Sequence, residues 1–236
     1  MAERVVFTWS GGKDSALALH ELKLNGGCEI AALLTTVTRD YDRVSMHGVR
    51  TALLERQAES LGIPLDTVQI SAGAPNEEYD ARMREKLTSY KEMGICSVVF
   101  GDIFLEDIRR YREDNLSRIG MKALFPLWKR DTAELARRFI DLGFKAVLTC
   151  VDSESLDGKF AGRAFDERFL SELPAGVDPC GENGEFHSFV HDGPIFRERI
   201  RYRKGKVVLR DNRFYYCDLV PLSGRARDRS QGSREA

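Results

Sequence analysis

The feature that most constrains the fold is an alternation of short apolar runs and longer helical segments over the first 150 residues. Apolar runs at 4–9 and 29–37 flank a helical segment at 13–25 that ends at two glycines. Because neighbouring parallel strands need a long crossover, this order predicts βα units and a parallel sheet. Further strands are predicted over 65–70, 96–100 and 146–151, and further helices over 48–61, 76–93, 105–119 and 132–142.

The pattern changes after residue 155, which divides the chain into three predicted parts. Residues 1–155 are expected to form the sheet domain. The pattern over residues 156–222 predicts a smaller α+β domain. It has a helix over 163–173 and several strands, two of which are joined by a turn at 204–205. Residues 223–236 have no large apolar side chain and are predicted to be a disordered tail. The expected fold class is therefore α/β, a parallel Rossmann-like sheet with helices on both faces plus the small C-terminal domain.

Composition excludes several classes of protein. Lys and Arg total 36 against 37 Asp and Glu, a net charge of −1 that does not suit a general nucleic-acid coat. No unbroken apolar run reaches about 18 residues, so no transmembrane helix is expected. The five cysteines are widely spaced and form no C-x-x-C, which argues against a disulfide framework or a zinc ribbon. The first residues enter a strand without a leader-like segment, and a cytoplasmic location is expected.

In parallel sheets of this kind, ligands bind beyond the carboxyl ends of the strands. This rule marks residues 10–15, 35–47, 101–102 and 150–155 as candidate site loops.

The strongest functional signal is the turn between the first strand and the first helix, formed by Ser10, Gly11, Gly12, Lys13, Asp14 and Ser15. Adjacent glycines let the backbone turn tightly, and the start of a helix presents N–H groups that favour an anion. Lys13 adds positive charge, so the turn is a candidate phosphate site. Asp14 would repel phosphates unless a cation lay between them, so we expect either Mg²⁺ at Asp14 or a helix cap. The spacing is not that of a Walker loop.

Gly101 and Asp102 follow a buried strand and are expected at the same edge of the sheet. In the next helix, Arg112 falls within the apolar stripe, where an unpaired charge would be costly. A phosphate, a substrate carboxylate or a structural carboxylate would each satisfy it, and the structural carboxylate is slightly favoured. Arg109 and Glu113 have the spacing of an i,i+4 ion pair.

A second informative stretch follows near the C-terminus. Gly181 and Gly184 permit tight turns around Glu182, and Glu185 and His187 share one face of the strand that follows. A carboxylate and an imidazole on one face could deprotonate ammonia or bind substrate. A hairpin whose polar residues face water is an equally good interpretation.

Three further features have alternative interpretations. Cys180 has no evident base, so a packed thiol is favoured over a nucleophile. His47 either faces substrate or simply precedes a helix. Residues 197–213 carry eight Lys and Arg against two Asp and Glu, which suits RNA or an acidic protein, although a solvated strand face is favoured.

Taken together, these motifs resemble the diphthine–ammonia ligase family of PP-loop ATP pyrophosphatases. The similarity runs in the same order over residues 4–197 and comprises the loop at 10–15, the segments 46–48 and 101–102 with Arg112 and Glu113, the box at 126–128, and the block 180–187 with 192–194.

The resemblance implies a five-stranded sheet of the adenine nucleotide α-hydrolase type and an ATP-dependent, AMP-forming amide ligase. Such an enzyme adenylates the carboxylate of diphthine on elongation factor 2, or an unknown acceptor in a bacterial member, and amidates it with ammonia. ATP and Mg²⁺ are the implied cofactors. The alternatives are a tRNA-modifying enzyme of the same superfamily and a non-catalytic ATP or AMP sensor; a homodimer and an RNA partner are open, and no membrane partner is expected.

The resemblance also implies roles for individual residues. The nucleotide would contact Ser10, Gly11, Gly12, Lys13, Asp14, Ser15, Thr35, Gly101 and Asp102. The acceptor side would comprise His47, Arg112, Cys180, Gly181 and Gly184. The catalytic residues would be Lys13, Asp14, Glu182, Glu185 and His187, with Asp14 also the metal ligand.

Overall fold

The computed structural model describes residues 2–44 and 47–222. Strands and helices alternate through its N-terminal half, as the apolar periodicity predicts. In chain order these elements are β1 (Glu3–Thr8), α1 (Lys13–Asn25), β2 (Cys28–Thr38), β3 (Arg43–Val44), α2 (Thr51–Leu61), β4 (Leu65–Ile70), α3 (Asn76–Glu92), β5 (Ser97–Val99), α4 (Glu106–Ser117) and β6 (Lys122–Leu124). The predicted tail, 223–236, lies outside the described residues.

The first sheet has five parallel strands in the order β4-β2-β1-β5-β6, and the short β3 adds antiparallel to the end of β2. β1 is central, and its register with β2 ends at the pair Thr8 and Leu34. The loop that follows β1 therefore leaves the sheet at the carboxyl edge, between the ends of β2 and β5. This is the edge at which parallel sheets bind ligands.

The C-terminal half forms a second, antiparallel sheet. Its elements are α5 (Thr132–Asp141), β7 (Lys145–Asp152), a 3-10 helix (Gly158–Phe160), β8 (Ala164–Phe165), α6 (Glu167–Ser171), β9 (Phe186–Asp192), β10 (Tyr202–Arg210) and β11 (Phe214–Pro221). The strand order is β10-β11-β7-β8, and β9 also pairs with β7.

The structure corrects three details of the sequence prediction. β7, expected in the parallel sheet, lies in the second sheet because it pairs antiparallel with β9 and β11. The loop 150–155 therefore is not at the edge of the first sheet, and the chain passes between sheets before the predicted boundary at residue 155. The helix expected over 163–173 is reduced to α6. No turn occurs at 204–205, because β10 continues through a register shift between Lys204 and Val207.

Two apolar clusters cover the two faces of the parallel sheet. One joins β1, α1, α2 and α5 to the second sheet, with Phe7, Trp9, Leu54, Phe139 and Phe189 all nearly inaccessible to solvent. The other packs the opposite face against α3 and α4. A parallel sheet covered on both faces and extended by a smaller sheet confirms the predicted fold class. Within the described residues, no helix combines the length and the apolar character needed to cross a bilayer.

Candidate active site

The turn after β1 has little free space around its two glycines. Gly11 has a φ of +76°, and a Cβ built there would lie 2.7 Å from Gln57 Oε1. A Cβ on Gly12 would lie 3.1 Å from the carbonyl oxygen of Ser188 and 3.2 Å from Ser10 Oγ. The turn can therefore adopt this shape only with glycine at the first position and a small residue at the second.

Hydroxyl and amide groups organise the inside of this turn. Ser10 Oγ and Ser15 Oγ lie 2.9 Å apart, and the Gly12 N–H donates to Ser10 Oγ over 3.2 Å. Gly12, the residue before α1, has no side chain that could cap the helix, and Asp14 does not cap it as the alternative interpretation held. The start of a helix is a favourable place for an anion, since its N–H groups and dipole both attract negative charge.

Lys13 places a buried positive charge at the start of α1. Its side chain is 4% exposed, and its Nζ donates to Asp14 Oδ2 over 2.9 Å and to the carbonyl oxygen of Cys180. The Phe186 ring lies 5.2 Å from the same Nζ. Burial disfavours the ammonium, but Asp14, Cys180 and Glu182 together outweigh burial, and the pKa of Lys13 is raised. Lys13 is therefore a fixed cation.

Asp14 is the carboxylate of this turn and the predicted metal ligand. Burial raises its pKa, while the Lys13 ammonium acts in the opposite direction. Over residues 2–44 and 47–222, no group of three or more His, Cys, Asp or Glu side chains is arranged to hold a metal ion. One loop carboxylate beside a phosphate site does fit Mg²⁺, which takes one or two protein carboxylates and completes its shell with phosphate and water oxygens.

The ends of β2 and β5 border the turn. Thr35, on β2, is 4% exposed and follows Leu34, whose carbonyl oxygen accepts the Trp9 N–H over 2.8 Å. Gly101 follows β5, and a Cβ there would lie 3.1 Å from the Ser15 backbone nitrogen. The glycine thus allows the end of β5 to approach the start of α1 closely.

Asp102 and Arg112 pair with each other. Arg112 Nε lies 2.9 Å from Asp102 Oδ2, and the guanidinium lies 4.5 Å from the centre of the Phe100 ring. Arg112 therefore pairs with a carboxylate of the protein, and that carboxylate belongs to Asp102, a predicted nucleotide contact. The predicted ion pair between Arg109 and Glu113 is also present, at 2.8 Å.

β9 of the second sheet borders the turn on its other side. Ser188 Oγ accepts the backbone N–H of Lys13 over 3.2 Å, and the Val190 N–H donates to the Gly11 carbonyl oxygen over 2.9 Å. The sequence did not predict these contacts, because they join residues about 175 positions apart.

Two histidines lie together beside the turn. The rings of His47 and His187 have centroids 4.4 Å apart. Burial, assisted by the Lys13 charge, lowers the pKa of His187 to about 4. Burial, with His187 and Lys13 as neighbours, lowers the pKa of His47. Both imidazoles are therefore neutral near pH 7 and can exchange hydrogen bonds with a ligand without adding positive charge.

Glu182 connects the C-terminal block to the end of β5. Its Oε1 accepts the Ile103 N–H over 2.7 Å and the Phe104 N–H over 3.4 Å. Burial raises the pKa of Glu182 to about 7, with Asp14 and Asp102 acting in the same direction. A carboxyl group that titrates near neutrality can take up and release a proton during a reaction.

Asp178 and two glycines, Gly181 and Gly184, shape the turn that carries Glu182. Asp178 Oδ1 accepts the N–H groups of Cys180 and Glu182 over 2.9 Å and 3.1 Å. Gly181 has a φ of +65°, and a Cβ there would lie 2.8 Å from the Phe186 carbonyl oxygen. Gly184, also at positive φ, has open space around it. The sequence did not single out Asp178, although its place before a glycine turn is the usual signal for this role.

Glu185 and Cys180 have internal partners. Glu185 is 5% exposed, and its Oε1 accepts the Asp178 N–H and the Asn183 side-chain amide, each over 3.0 Å. It precedes β9 and stabilises the turn, whereas the ring of His187 lies against that of His47. Cys180 Sγ donates to the Thr132 carbonyl oxygen over 3.3 Å, and burial raises the pKa of this thiol. Cys180 is thus a packed, protonated thiol at neutral pH.

Comparison with known proteins places this arrangement in a family. The model of the diphthamide synthase N-terminal domain matches residues 3–123, and that of the diphthamide synthase C-terminal domain matches residues 131–218. The chain belongs to the diphthamide synthase family. The two matched ranges meet between β6, the last strand of the first sheet, and α5.

Curated relatives of this diphthamide synthase family member carry the name diphthine–ammonia ligase. The zebrafish (Danio rerio) protein is 31% identical, with 84% of this chain and 85% of that protein covered. The human protein is 28% identical, with 87% and 85% covered. The protein from Schizosaccharomyces pombe is 28% identical. The alignment covers 84% of this chain and 36% of that longer protein.

Among solved structures, a predicted tRNA methyltransferase subunit from Methanocaldococcus jannaschii aligns with 84% of this chain and all of its own. The identity is 18% and the TM-score 0.43, and a likeness this distant says nothing about activity.

Proposed function

We propose that this protein is an ATP-dependent, AMP-forming ligase that joins ammonia to a carboxylate acceptor. Membership of a family whose curated relatives are named diphthine–ammonia ligase supports ATP-driven carbon–nitrogen ligation. The observation that carries the proposal is the buried Lys13 ammonium beside the glycine turn at the start of α1. A fixed cation and helix N–H groups in one turn favour the developing charge of a leaving pyrophosphate.

The nucleotide side of the site follows from this turn. The pyrophosphate portion of ATP would lie along residues 10–15, with Lys13 as its cation. Asp14 would hold Mg²⁺ together with phosphate oxygens, and the ion would neutralise charge on the departing pyrophosphate. Thr35, Gly101 and Asp102 border the same edge and would contact the rest of the nucleotide.

The reaction needs two displacements. A carboxylate oxygen of the acceptor attacks the α-phosphorus of ATP, and pyrophosphate leaves. Ammonia then attacks the activated carbonyl carbon, AMP leaves with that oxygen, and the nitrogen loses a proton. Glu182 would accept that proton, because its pKa of about 7 suits a base at neutral pH. His47 and His187 would position the acceptor through neutral hydrogen bonds.

Diphthine, the acceptor in the relatives' name, is the acceptor class that we propose here. Elongation factor 2 bearing diphthine is the carrier that we propose for it. RNA remains an alternative partner for residues 197–213. Seven of the eight Lys and Arg side chains there have no ion pair within the described chain, and the eighth, Arg213, pairs with Asp152 at 2.6 Å. A homodimer and a cytoplasmic location stay predictions.

Sulfur transfer to tRNA and nucleotide sensing have less support. Sulfur transfer needs a reactive thiol at the site, and burial raises the pKa of Cys150 and of Cys180. The exposed Cys96 precedes β5 and therefore lies at the amino end of that strand, opposite the carboxyl edge that carries the turn. A sensor would bind ATP without turnover, and a product assay separates that outcome from ligation.

The test is a product assay. The purified protein is incubated with ATP, Mg²⁺, ammonium chloride and elongation factor 2 bearing diphthine, and the nucleotides are separated by ion-exchange chromatography. We expect AMP and pyrophosphate in equal amounts and an acceptor whose mass changes by exchange of a hydroxyl for an amino group. ADP and phosphate as products would contradict the mechanism, and nucleotide binding without products would support the sensor.

A further inference from the structure

Gln57 on α2 is a fully buried amide that contacts the phosphate turn although the reaction does not require it as a reactant. It is 0% exposed, and its Oε1 accepts the Trp9 Nε1–H over 2.8 Å. Its Nε2 donates to the Gly11 carbonyl oxygen over 3.1 Å and to the Val190 carbonyl oxygen over 2.6 Å. Both amide hydrogens are therefore used, and this one side chain connects α2, β9 and the turn.

Trp9 fixes the orientation of this amide. The indole N–H can only donate, so the amide oxygen must face Trp9 and the NH₂ group must face the two carbonyls. A flipped amide would place donor against donor and acceptor against acceptor in a site closed to water, at a high cost. The arrangement of Gln57 therefore has one stable form.

The Gly11 carbonyl is held by two donors, Gln57 Nε2 and the Val190 N–H. Because a trans peptide unit is planar, its C=O and the following N–H point in opposite directions. Holding the Gly11 carbonyl towards α2 and β9 directs the Gly12 N–H towards the inside of the turn, where it lies 3.2 Å from Ser10 Oγ. Gly11 reaches this conformation at a positive φ, which an L side chain would oppose.

We propose that Gln57 is a positioning residue that sets the Gly11–Gly12 peptide so that the turn can bind a phosphate. Gln57 acts through the peptide and touches no substrate. The inference rests on the proposed function only in taking the turn as a phosphate site, not in any choice of acceptor.

The test compares two substitutions on α2. Gln57→Leu keeps much of the volume and removes all three hydrogen bonds. Ser60→Ala is the matched control: Ser60 is 3% exposed, and its Oγ donates to the Glu198 carbonyl oxygen over 2.7 Å and accepts the Glu198 N–H over 3.0 Å. The control therefore also removes buried hydrogen bonds between α2 and the C-terminal half, without touching the turn.

Binding of inorganic pyrophosphate and of Mg–ATP is measured by calorimetry, and amide hydrogen exchange of residues 10–15 by mass spectrometry. We expect Gln57→Leu to weaken pyrophosphate binding about tenfold or more and to speed exchange in the turn. Ser60→Ala is expected to lower the urea midpoint while leaving pyrophosphate affinity and exchange in the turn as in wild type. Trp9→Phe, which keeps an aromatic ring but loses the N–H, should weaken binding in the same direction.

Wild-type affinity in Gln57→Leu, or an equal loss in Ser60→Ala, would overturn the proposal. If Gln57→Leu fails to fold, Trp9→Phe decides by the same criteria. A wild-type protein that binds pyrophosphate but releases no AMP would remove the proposed ligase and leave this inference in place. A wild-type protein that binds neither probe would remove both.

Discussion

At the scale of single residues, Lys13 is predicted to supply the positive charge on which nucleotide turnover depends. Lys13→Met removes a 4% exposed ammonium while keeping the length of the side chain. We expect kcat/KM for ATP to fall about a hundredfold or more, because loss of one fixed group that stabilises developing charge commonly has that effect. Lys23→Met, in the last turn of the same helix, is the control and should retain wild-type turnover. AMP release measures both, and equal rates in the two variants would contradict the assignment.

Glu182 is predicted to set the pH dependence of turnover. Because its pKa is raised to about 7, the fraction in the carboxylate form, and with it the rate, should rise as pH increases through that value. With the concentration of free ammonia held constant, Glu182→Gln should lose this rise and run about a hundredfold slower. Glu172→Gln is the control, since two arginines lower the pKa of Glu172 to about 2 and it stays ionised throughout. A pH profile left unchanged by Glu182→Gln would exclude the proton-accepting role.

The same carboxyl group is expected to affect folding stability with a definite sign. The pKa of Glu182 in the folded state, about 7, lies above the reference value of 4.5. Between pH 4.5 and about 7, the folded state therefore binds more protons at this group than the unfolded state does. The stability contributed by Glu182 is therefore present at low pH and is lost as pH rises through about 7. Urea midpoints at pH about 5 and about 8 should differ more in wild type than in Glu182→Gln. If the urea midpoint changed with pH by the same amount in wild type and in Glu182→Gln, a group other than Glu182 would cause the pH dependence of stability.

At the scale of elements, the turn between β1 and α1 is predicted to be intolerant of a side chain. Gly11→Ala combines a φ of +76° with a Cβ 2.7 Å from Gln57 Oε1. Gly27→Ala is the matched control, with a φ of +84° and nothing within 4 Å. Both should lose about 1 kcal/mol from the left-handed backbone. Only Gly11→Ala should lose more stability than that and bind ATP weakly, as urea unfolding and calorimetry would measure; equal losses would contradict the packing argument.

The sequence predicts those elements whose characteristic residues lie close together within one short segment. The turn at 10–15 and the helix after it follow from glycines, a lysine and apolar spacing within one short segment. β3 and β6 are two and three residues long, too short for any periodicity to indicate them. The prediction for β7 is wrong about its sheet because a fully buried strand has the same apolar pattern in a parallel sheet as at the centre of an antiparallel one.

The prediction of a turn at 204–205 is wrong for a physical reason. Gly205 suggested a turn, but it lies within β10, where a Cβ would meet Asp218 Cβ of β11 at 3.1 Å. Its role is close approach between strands beside a register shift. Gln57 gave no signal at all, because its partners lie 46 and 133 positions away and only the folded chain brings them together.

At the scale of the whole molecule, the two sheets share one hydrophobic core. They do so although each sheet is formed by a different part of the chain. The first apolar cluster runs from Phe7 and Leu54 to Phe189 without a break. Asp218 of β11 accepts from Arg43 over 2.9 Å and from Arg50 over 2.8 Å, which ties the second sheet to β3 and to the start of α2. Either half alone would expose its part of this cluster to water, at a cost that grows with the apolar area exposed.

The molecule is therefore expected to unfold in one cooperative step. Trp9, 1% exposed, reports the first sheet through its fluorescence, and Cys217, 4% exposed in β11, reports the second through its rate of reaction with a thiol reagent. The two urea midpoints should coincide, while the exposed Cys96 reacts at every urea concentration and serves as the reagent control. Pyrophosphate should raise both midpoints equally, because the turn that would bind it is hydrogen-bonded to β9 and leads directly from β1. Two separate transitions would mean that the shared cluster does not couple the sheets, and the phosphate turn would then lose its contacts with β9 before the first sheet unfolds.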